Sequence, residues 1–312
     1  LLGHVLTWIL QRRSGRQTFP LKELDSDTQA DVGETERKAA RYQRFFYQEA
    51  FRNLFTSLRF LNSDKPLRSI ALTSSLPAEG KSLVITLLAK TLAEMGQRVL
   101  LIDADLRKPQ LHTRLELNNL RGLSNVLTDD SSHWQQALQP IDGHESWTVM
   151  TAGRRPPDPT RLLSSKRMHQ LVEDLGKSEE FDLILFDTPP VLGLADAALV
   201  AEHCDGLMLL VTLDRVDRSL PMEAVNRIRS SGAPLLGIVT NAIKQEQQGS
   251  SAYGYGQYGY GKYGYGYGYG YGYGNYGYAA YDTTSAYAHY ADVGNVEGNP
   301  DSASPQPSQR DQ

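Results

Sequence analysis

The sequence predicts an α/β domain: a mostly parallel sheet with helices on both faces, followed by a disordered tyrosine- and glycine-rich tail. Three observations carry this. Strand-like apolar runs alternate with helix-like segments through the middle of the chain, as a parallel sheet covered on both faces requires. Two of those runs, residues 100–105 (LLIDAD) and 181–190 (FDLILFDTPP), are almost continuously apolar and close in carboxylates, as expected of strands buried on both faces. Beyond residue 253 tyrosine and glycine alternate, a composition that cannot build a core because glycine adds no apolar burial and loses the most backbone entropy.

The first strand and helix frame a turn with its own chemistry. Residues 68–73 (RSIALT) read as a short strand and 83–95 carry the apolar spacing of a helix, with SLPAEGKS (75–82) between them. Strand, tight loop and helix is the arrangement in which backbone N–H groups and the positive helix end cradle phosphate. The usual pattern is G-x-x-x-x-G-K-[ST]; Ser75 stands at its first glycine and Gly80 keeps the second. Ser75, Pro77, Ala78, Glu79, Gly80 and Leu83 would then line the phosphates. The Lys81 ammonium would cover the outer ones, and the Ser82 hydroxyl would ligate Mg²⁺. A Ser/Gly turn before an ordinary helix is the competing reading of the loop taken alone.

The acidic strand ends weigh against that competitor. If the strand from Leu100 stays extended to Asp105, the side-chain period of two puts Asp103 and Asp105 on one face. Asp187 closes the other run. Ligands of open α/β sheets bind at the C-terminal strand edges, so Asp103, Asp105 and Asp187 are expected to converge with Lys81 and Ser82. A nucleotide, a Mg²⁺ ion and a further acidic group are the chemistry this implies. Residues 147–151, 206–212 and 235–240 read as further strands, and 161–175 and 220–230 as helices. Asn241, just past the last strand, is placed either to pair with an adenine edge or to make a plain turn.

Charge and cysteine usage narrow the partners. The 312 residues carry a formal charge of -4 and a pI near 6.0, which leaves no basic footprint for nucleic acid. Cys204 has no second cysteine to pair with and fits a buried thiol in a reducing compartment. Residues 1–10 (LLGHVLTWIL) are mostly apolar and are followed by Arg12, Arg13 and Arg16. Spanning a bilayer takes about twenty residues, so 1–16 read as the inner end of a transmembrane helix whose remainder lies upstream. Its arginines would face the cytoplasm; a short amphipathic helix is the alternative. Residues 17–41 are polar, a linker or a solvated helix. In 47–61, Phe51, Leu54, Phe55 and Leu58 recur at spacings of three and four, the mark of an amphipathic helix. The folded domain is expected over 42–246 and the tail over 247–312.

Fifteen of the 17 tyrosines lie in that tail: Tyr253, Tyr255, Tyr258, Tyr260, Tyr263, Tyr265, Tyr267, Tyr269, Tyr271, Tyr273, Tyr276, Tyr278, Tyr281, Tyr287 and Tyr290. Its composition alone suits stacking and self-association.

In this order, the phosphate loop, LIDADLRKP, FDTPP and a C-terminal tyrosine cluster resemble the bacterial tyrosine kinases (BY-kinases) of capsular and exopolysaccharide export, where the three motifs are Walker A, A′ and B. The resemblance extends over about residues 49–241 and includes GRRPPDPTRLL (153–163). It implies a P-loop NTPase fold and ATP-dependent phosphorylation of tyrosines, chiefly the chain's own, with the fifteen tail tyrosines as acceptors. It implies Lys81 at the β/γ-phosphates, Ser82, Asp105 and Asp187 around Mg²⁺, and Asp103 accepting the tyrosine proton, with the roles of Asp103 and Asp105 exchangeable. Arg107 would steady phosphate or pair with an acid. The implied partners are the tail in cis or trans, a homo-oligomer, membrane polysaccharide polymerisation and export machinery, and a protein tyrosine phosphatase. The implied location is the cytoplasmic face of the plasma membrane.

Two positions depart from the family. Its oligomer helix reads E-x-x-R-x-x-R, and here Glu49 and Arg52 are followed by Phe55; Asp158 stands where asparagine is frequent. A regulatory ATPase module without kinase activity, a self-associating scaffold and a Min/Par-type positioning ATPase are the alternatives. The last carries a second lysine early in the loop, at the position of Leu76.

Overall fold

A computed structural model describes residues 3–5, 34–61, 66–129, 133–213 and 216–241. The tyrosine-rich tail, the polar stretch 17–33 and the arginines at 12, 13 and 16 lie outside them.

The core strands are β2 (Ser69–Ser74), β3 (Val99–Asp103), β6 (Leu183–Asp187) and β7 (Gly206–Thr212), and every residue of the four is buried. Alternate side chains point to opposite faces, so each strand feeds two cores. Leu100, Ile102, Leu207 and Leu209 join one apolar cluster, while Leu101, Val99, Met208 and Leu210 join the other. That two-sided demand is why the sequence shows unbroken apolar runs instead of alternation.

Strands β1 (Gly3–Val5), β4 (Leu138–Ile141), β5 (His144–Met150) and β8 (Leu235–Asn241) complete an eight-stranded sheet of order β1-β8-β7-β2-β6-β3-β5-β4. All neighbours are parallel except β4 and β5. One face is covered by α1 (Glu34–Leu61) and α2 (Lys81–Glu94). The short helices α3 (Leu111–Leu115), α4 (Leu123–Thr128), α5 (Pro159–Leu163) and α7 (Asp196–Ala201) lie in the crossovers. The longer α6 (Lys166–Lys177) and α8 (Ser219–Ser230) cover the second face.

Four expectations change here. Residues 3–5 are not helical: they form β1, parallel to β8 with Gly3 opposite Val239, closing an edge that would otherwise offer open N–H and C=O groups. The rest of the expected anchor segment, residues 1–2 and 6–16, lies outside the described residues, among which no helix is long and apolar enough to cross a membrane. The amphipathic helix begins at Glu34 and so absorbs the end of the polar linker. The helix expected over 161–175 is two, because Ser165 accepts a cap bond from the Met168 N–H and starts α6 afresh. The strand carrying Asp103 ends there, and Asp105 sits in the turn that follows.

Candidate active site

The three sequence motifs meet because their strands are neighbours. The sheet order places β2, β6 and β3 side by side, and the register sets Leu72 beside Asp187 and Asp103 beside Asp187. Adjacent strands are about 4.8 Å apart, so the phosphate loop after β2 and both carboxylates share one C-terminal sheet edge. The β6 end is tied to β2 by the Thr188 hydroxyl, which donates to Leu72 O (2.9 Å), and by the Val191 N–H to Ser74 O (2.9 Å).

The loop itself is held from inside. Glu79 is buried, and its carboxylate accepts the Leu76 N–H (2.6 Å) and the Thr212 N–H at the end of β7 (2.9 Å). Its carbonyl accepts the Thr212 hydroxyl (2.8 Å) and the Asn241 amide (3.2 Å). Glu79 therefore staples the loop to β7 and β8, and only its backbone is available to a phosphate. Burial raises its pKa, against the pull of these N–H donors and of Lys81. Gly80 precedes α2 at φ 91°, where an added Cβ would stand 3.2 Å from Asn241 Nδ2. Ala78 also has positive φ (65°), a conformation costly for residues with a Cβ. The first N–H groups of α2 have no partner inside the helix, and they begin at Lys81. Replacing Glu79 with alanine leaves two buried N–H donors unmatched, at about 2–6 kcal/mol. A lower melting temperature and at least tenfold weaker nucleotide affinity are expected, measured by thermal unfolding and titration with a fluorescent ATP analogue.

Asp187 is fully buried, and neither of its oxygens has a hydrogen-bonded partner at good geometry. Desolvation lifts its pKa to about 6, although the Lys81 ammonium, the nearby Ser82 hydroxyl and Arg114 pull it down. A buried carboxylate with unmatched oxygens beside a hydroxyl and the phosphate loop fits a divalent cation that keeps waters and phosphates among its ligands.

Asp103 is also fully buried. Burial and the Asp187 charge raise its pKa well above the ordinary carboxylate range. Its oxygens accept the N–H groups of Gln110 (3.1 Å), Leu111 (3.0 Å) and Asp105 (3.3 Å), so it also shapes the turn into α3. Asp105 accepts the Lys108 N–H (2.9 Å).

Arg107 is committed to an acid. It donates to both carboxylate oxygens of Asp196 (2.6 and 3.1 Å) and to the Thr160 hydroxyl (2.7 Å), joining the Walker A′ turn to α5 and α7. Asn241 sits against the loop through Glu79 O. Of the residues read from sequence, Ser75, Glu79, Gly80, Lys81, Ser82, Asp103, Asp105, Asp187 and Asn241 thus gather at one edge, whereas Arg107 braces it from the side.

Sequence reading missed Arg114, Asp196 and Thr212. Arg114 is buried on α3, one turn beyond the N–H groups that hold Asp103, and it and Asp187 act electrostatically on one another. No motif marks it; a charged residue between the apolar Leu111 and Leu115 is the one available signal.

The oligomer-helix positions are now visible. Arg52 pairs with Glu49 on the exposed side of α1 (2.6 Å), while Phe55 packs into the core with the Arg59 guanidinium 6.0 Å from its ring centre. Cys204 is a buried free thiol whose pKa burial raises.

Comparison with known proteins agrees with this geometry. The family described as ParA: NUBPL iron-transfer P-loop NTPase matches residues 68–263. The tyrosine-protein kinase YwqD of Bacillus subtilis is 37% identical over 205 residues, covering 66% of this chain and 85% of the relative. The tyrosine-protein kinase Wzc of Salmonella typhimurium is 34% identical over 207 residues, 66% of this chain but 28% of that protein. The solved kinase domain of the Escherichia coli tyrosine kinase ETK superposes with a TM-score of 0.65 at 28% identity, covering 82% of this chain and 94% of that one. With a P-loop strand and the strands ending in Asp103 and Asp187 laid side by side, and with the family model matched over residues 68–263 and relatives of this identity and coverage, the chain is a member of the bacterial protein-tyrosine kinases of the ParA-type P-loop NTPase family.

Proposed function

We propose that the chain phosphorylates its own tyrosine-rich C-terminal segment, in cis or in a neighbouring copy, and so regulates polysaccharide polymerisation and export at the cytoplasmic face of the membrane. One observation carries the choice of substrate. Asn241, where β8 ends, is hydrogen-bonded to the phosphate loop through Glu79 O, so the chain leaves the sheet at the site itself, twelve residues before Tyr253.

In the proposed reaction the bond from the γ-phosphorus to the β–γ bridging oxygen breaks. A bond from the tyrosine oxygen to that phosphorus forms, and the phenolic proton passes to Asp103. Lys81 and the α2 N–H groups oppose the charge on the phosphates, which is most of what phosphoryl transfer asks of a protein. Mg²⁺, held by Ser82 and Asp187 with Asp105 close by, would add positive charge against the transferring group. Burial makes Asp103 a stronger base than an ordinary carboxylate, while Asp105 is the alternative acceptor.

Glycine between tyrosines leaves each ring accessible without unfolding anything. For a flexible chain, roughly 50 residues reach about 40 Å, enough for a neighbouring active site. Each phosphate adds about -1.5 to -2 charges, so five add about -8 to -10 beside the formal -4. Tails gathered in an oligomer should then repel and shift it towards monomers, less at high salt.

Incubating the purified chain with Mg-ATP and mapping phosphotyrosine by mass spectrometry tests the proposal. Modified tail tyrosines are expected, with the light-scattering mass falling as they appear. ATP hydrolysis without phosphotyrosine would favour the regulatory module, and a mass independent of phosphorylation would remove the electrostatic switch.

A further inference from the structure

Four arginines stand exposed beside the catalytic edge and take no part in the chemistry above: Arg121, Arg154, Arg155 and Arg161. Two backbone crossings gather them. Leu123 N–H donates to Thr151 O (2.8 Å) and Ser124 N–H to Ala152 O (2.9 Å), which lays the segment after Arg121 along the exit of β5. The approach is tight enough that a Cβ on Gly122 would lie 2.1 Å from Thr151 O and 2.4 Å from Gly153 N. The Ser124 hydroxyl then fixes Arg154 by its carbonyl (2.6 Å). On the other side, Thr160 ties the same loop to Arg107 and Asp196. The Gly153–Thr160 loop is therefore anchored at both ends to the sheet edge that carries Asp103 and Asp187.

None of the four side chains has an ion-pair partner among the described residues. The nearest exposed carboxylate in the loop, Asp158, is occupied in capping α5 through the Arg161 N–H (3.0 Å). Guanidinium groups left unpaired around a braced loop, in a chain of net negative charge, form a site for a multiply charged anion, and arginine matches phosphate in a bidentate fork.

We infer that Arg121, Arg154, Arg155 and Arg161 form a holding site for phosphotyrosines of the chain's own tail, so that a tail phosphorylated once stays beside the active site for the next transfer. This rests on the self-phosphorylation reading. Before reaction the Tyr/Gly segment is almost uncharged and has nothing for the patch to hold. Each product phosphate creates a ligand, and the next tyrosine lies two or three residues away through most of residues 253–278. Phosphorylation should accordingly be processive along a tail.

The binding arm uses the full chain carrying Lys81→Met, so that no turnover occurs, and a synthetic peptide of residues 263–271 with two phosphotyrosines or none. Fluorescence anisotropy should show binding of the phosphopeptide alone. Arg154→Ala/Arg155→Ala should weaken it about tenfold, as should Arg121→Ala in combination with either, as loss of charged hydrogen bonds predicts. In the chain with Lys81 intact, intact-mass spectra at partial conversion should show multiply phosphorylated molecules beside unmodified ones. The double variant should form its first phosphate at the unchanged rate but give mostly singly modified chains. Equal phosphopeptide affinity in the variants, or an unchanged product distribution, would overturn the inference. So would arginine-dependent binding to vesicles containing anionic lipid without phosphopeptide binding, which assigns the patch to a membrane surface. Absence of any phosphotyrosine on the tail would instead defeat the self-phosphorylation reading, and the peptide arm would still decide whether the patch holds phosphotyrosine.

Discussion

Lys81→Met should abolish phosphotyrosine formation, with a loss of roughly 10³-fold or more, the scale of removing a preorganised charge from a transition state. The melting temperature should stay at or above that of the unaltered chain. Two effects act together. The ammonium that opposes phosphate charge disappears. Asp187 also loses a cation that draws its pKa down towards about 6, so more of it is protonated near neutral pH and less available to a cation. Stability does not follow activity, because Lys81 is buried and methionine fills its place without a desolvated charge. Phosphotyrosine immunodetection with a thermal melt on the same sample checks both halves. An unaltered phosphotyrosine signal would remove Lys81 from the site.

Asp103→Asn is expected to lower turnover by roughly 10²-fold or more, the usual contribution of a general base, while changing nucleotide affinity much less. The same substitution should stabilise the fold at neutral pH. A carboxyl whose native pKa is raised binds its proton more tightly in the folded state, so native stability falls as pH climbs from the unfolded value near 4 through the native one. Asp103 and Asp187 both behave this way, and asparagine relieves the repulsion between them. An amide oxygen at the Oδ2 position still accepts the Gln110 and Leu111 N–H groups. The advantage of the variant should therefore grow from about pH 4 to pH 7, measured by chemical unfolding at several pH values. Near-normal turnover in Asp103→Asn, with a deep loss in Asp105→Asn, would transfer the proton-acceptor role to Asp105.

Much of this was legible in the residues because the physics was local. Strands buried on both faces must be apolar throughout, so residues 206–212 announced themselves and match β7 from end to end; the apolar run 235–240 lacks only Asn241 of β8, which is half-buried over its first four residues. A phosphate loop needs a strand, a glycine, a lysine and a hydroxyl in a short space, and Gly80, Lys81 and Ser82 stand so. Carboxylates closing two apolar runs, read together with that loop, point to one sheet edge.

What the sequence could not disclose depended on partners distant along the chain. Arg107 could hold phosphate or an acid, and the choice fell to Asp196, 89 residues on, once α7 packed beside the Walker A′ turn. Glu79 looked like a phosphate-loop lining residue, but its carboxylate turned inward because Thr212, 133 residues away, offered a buried N–H that had to be matched. Asp105 left the strand because the Asp103 oxygens captured the N–H groups of the following turn. Residues 3–5 became an edge strand because an open edge at β8 was there to be closed. Local pattern thus determined which elements form and where charge sits at their ends; long-range satisfaction of buried polar groups decided which way each charge points.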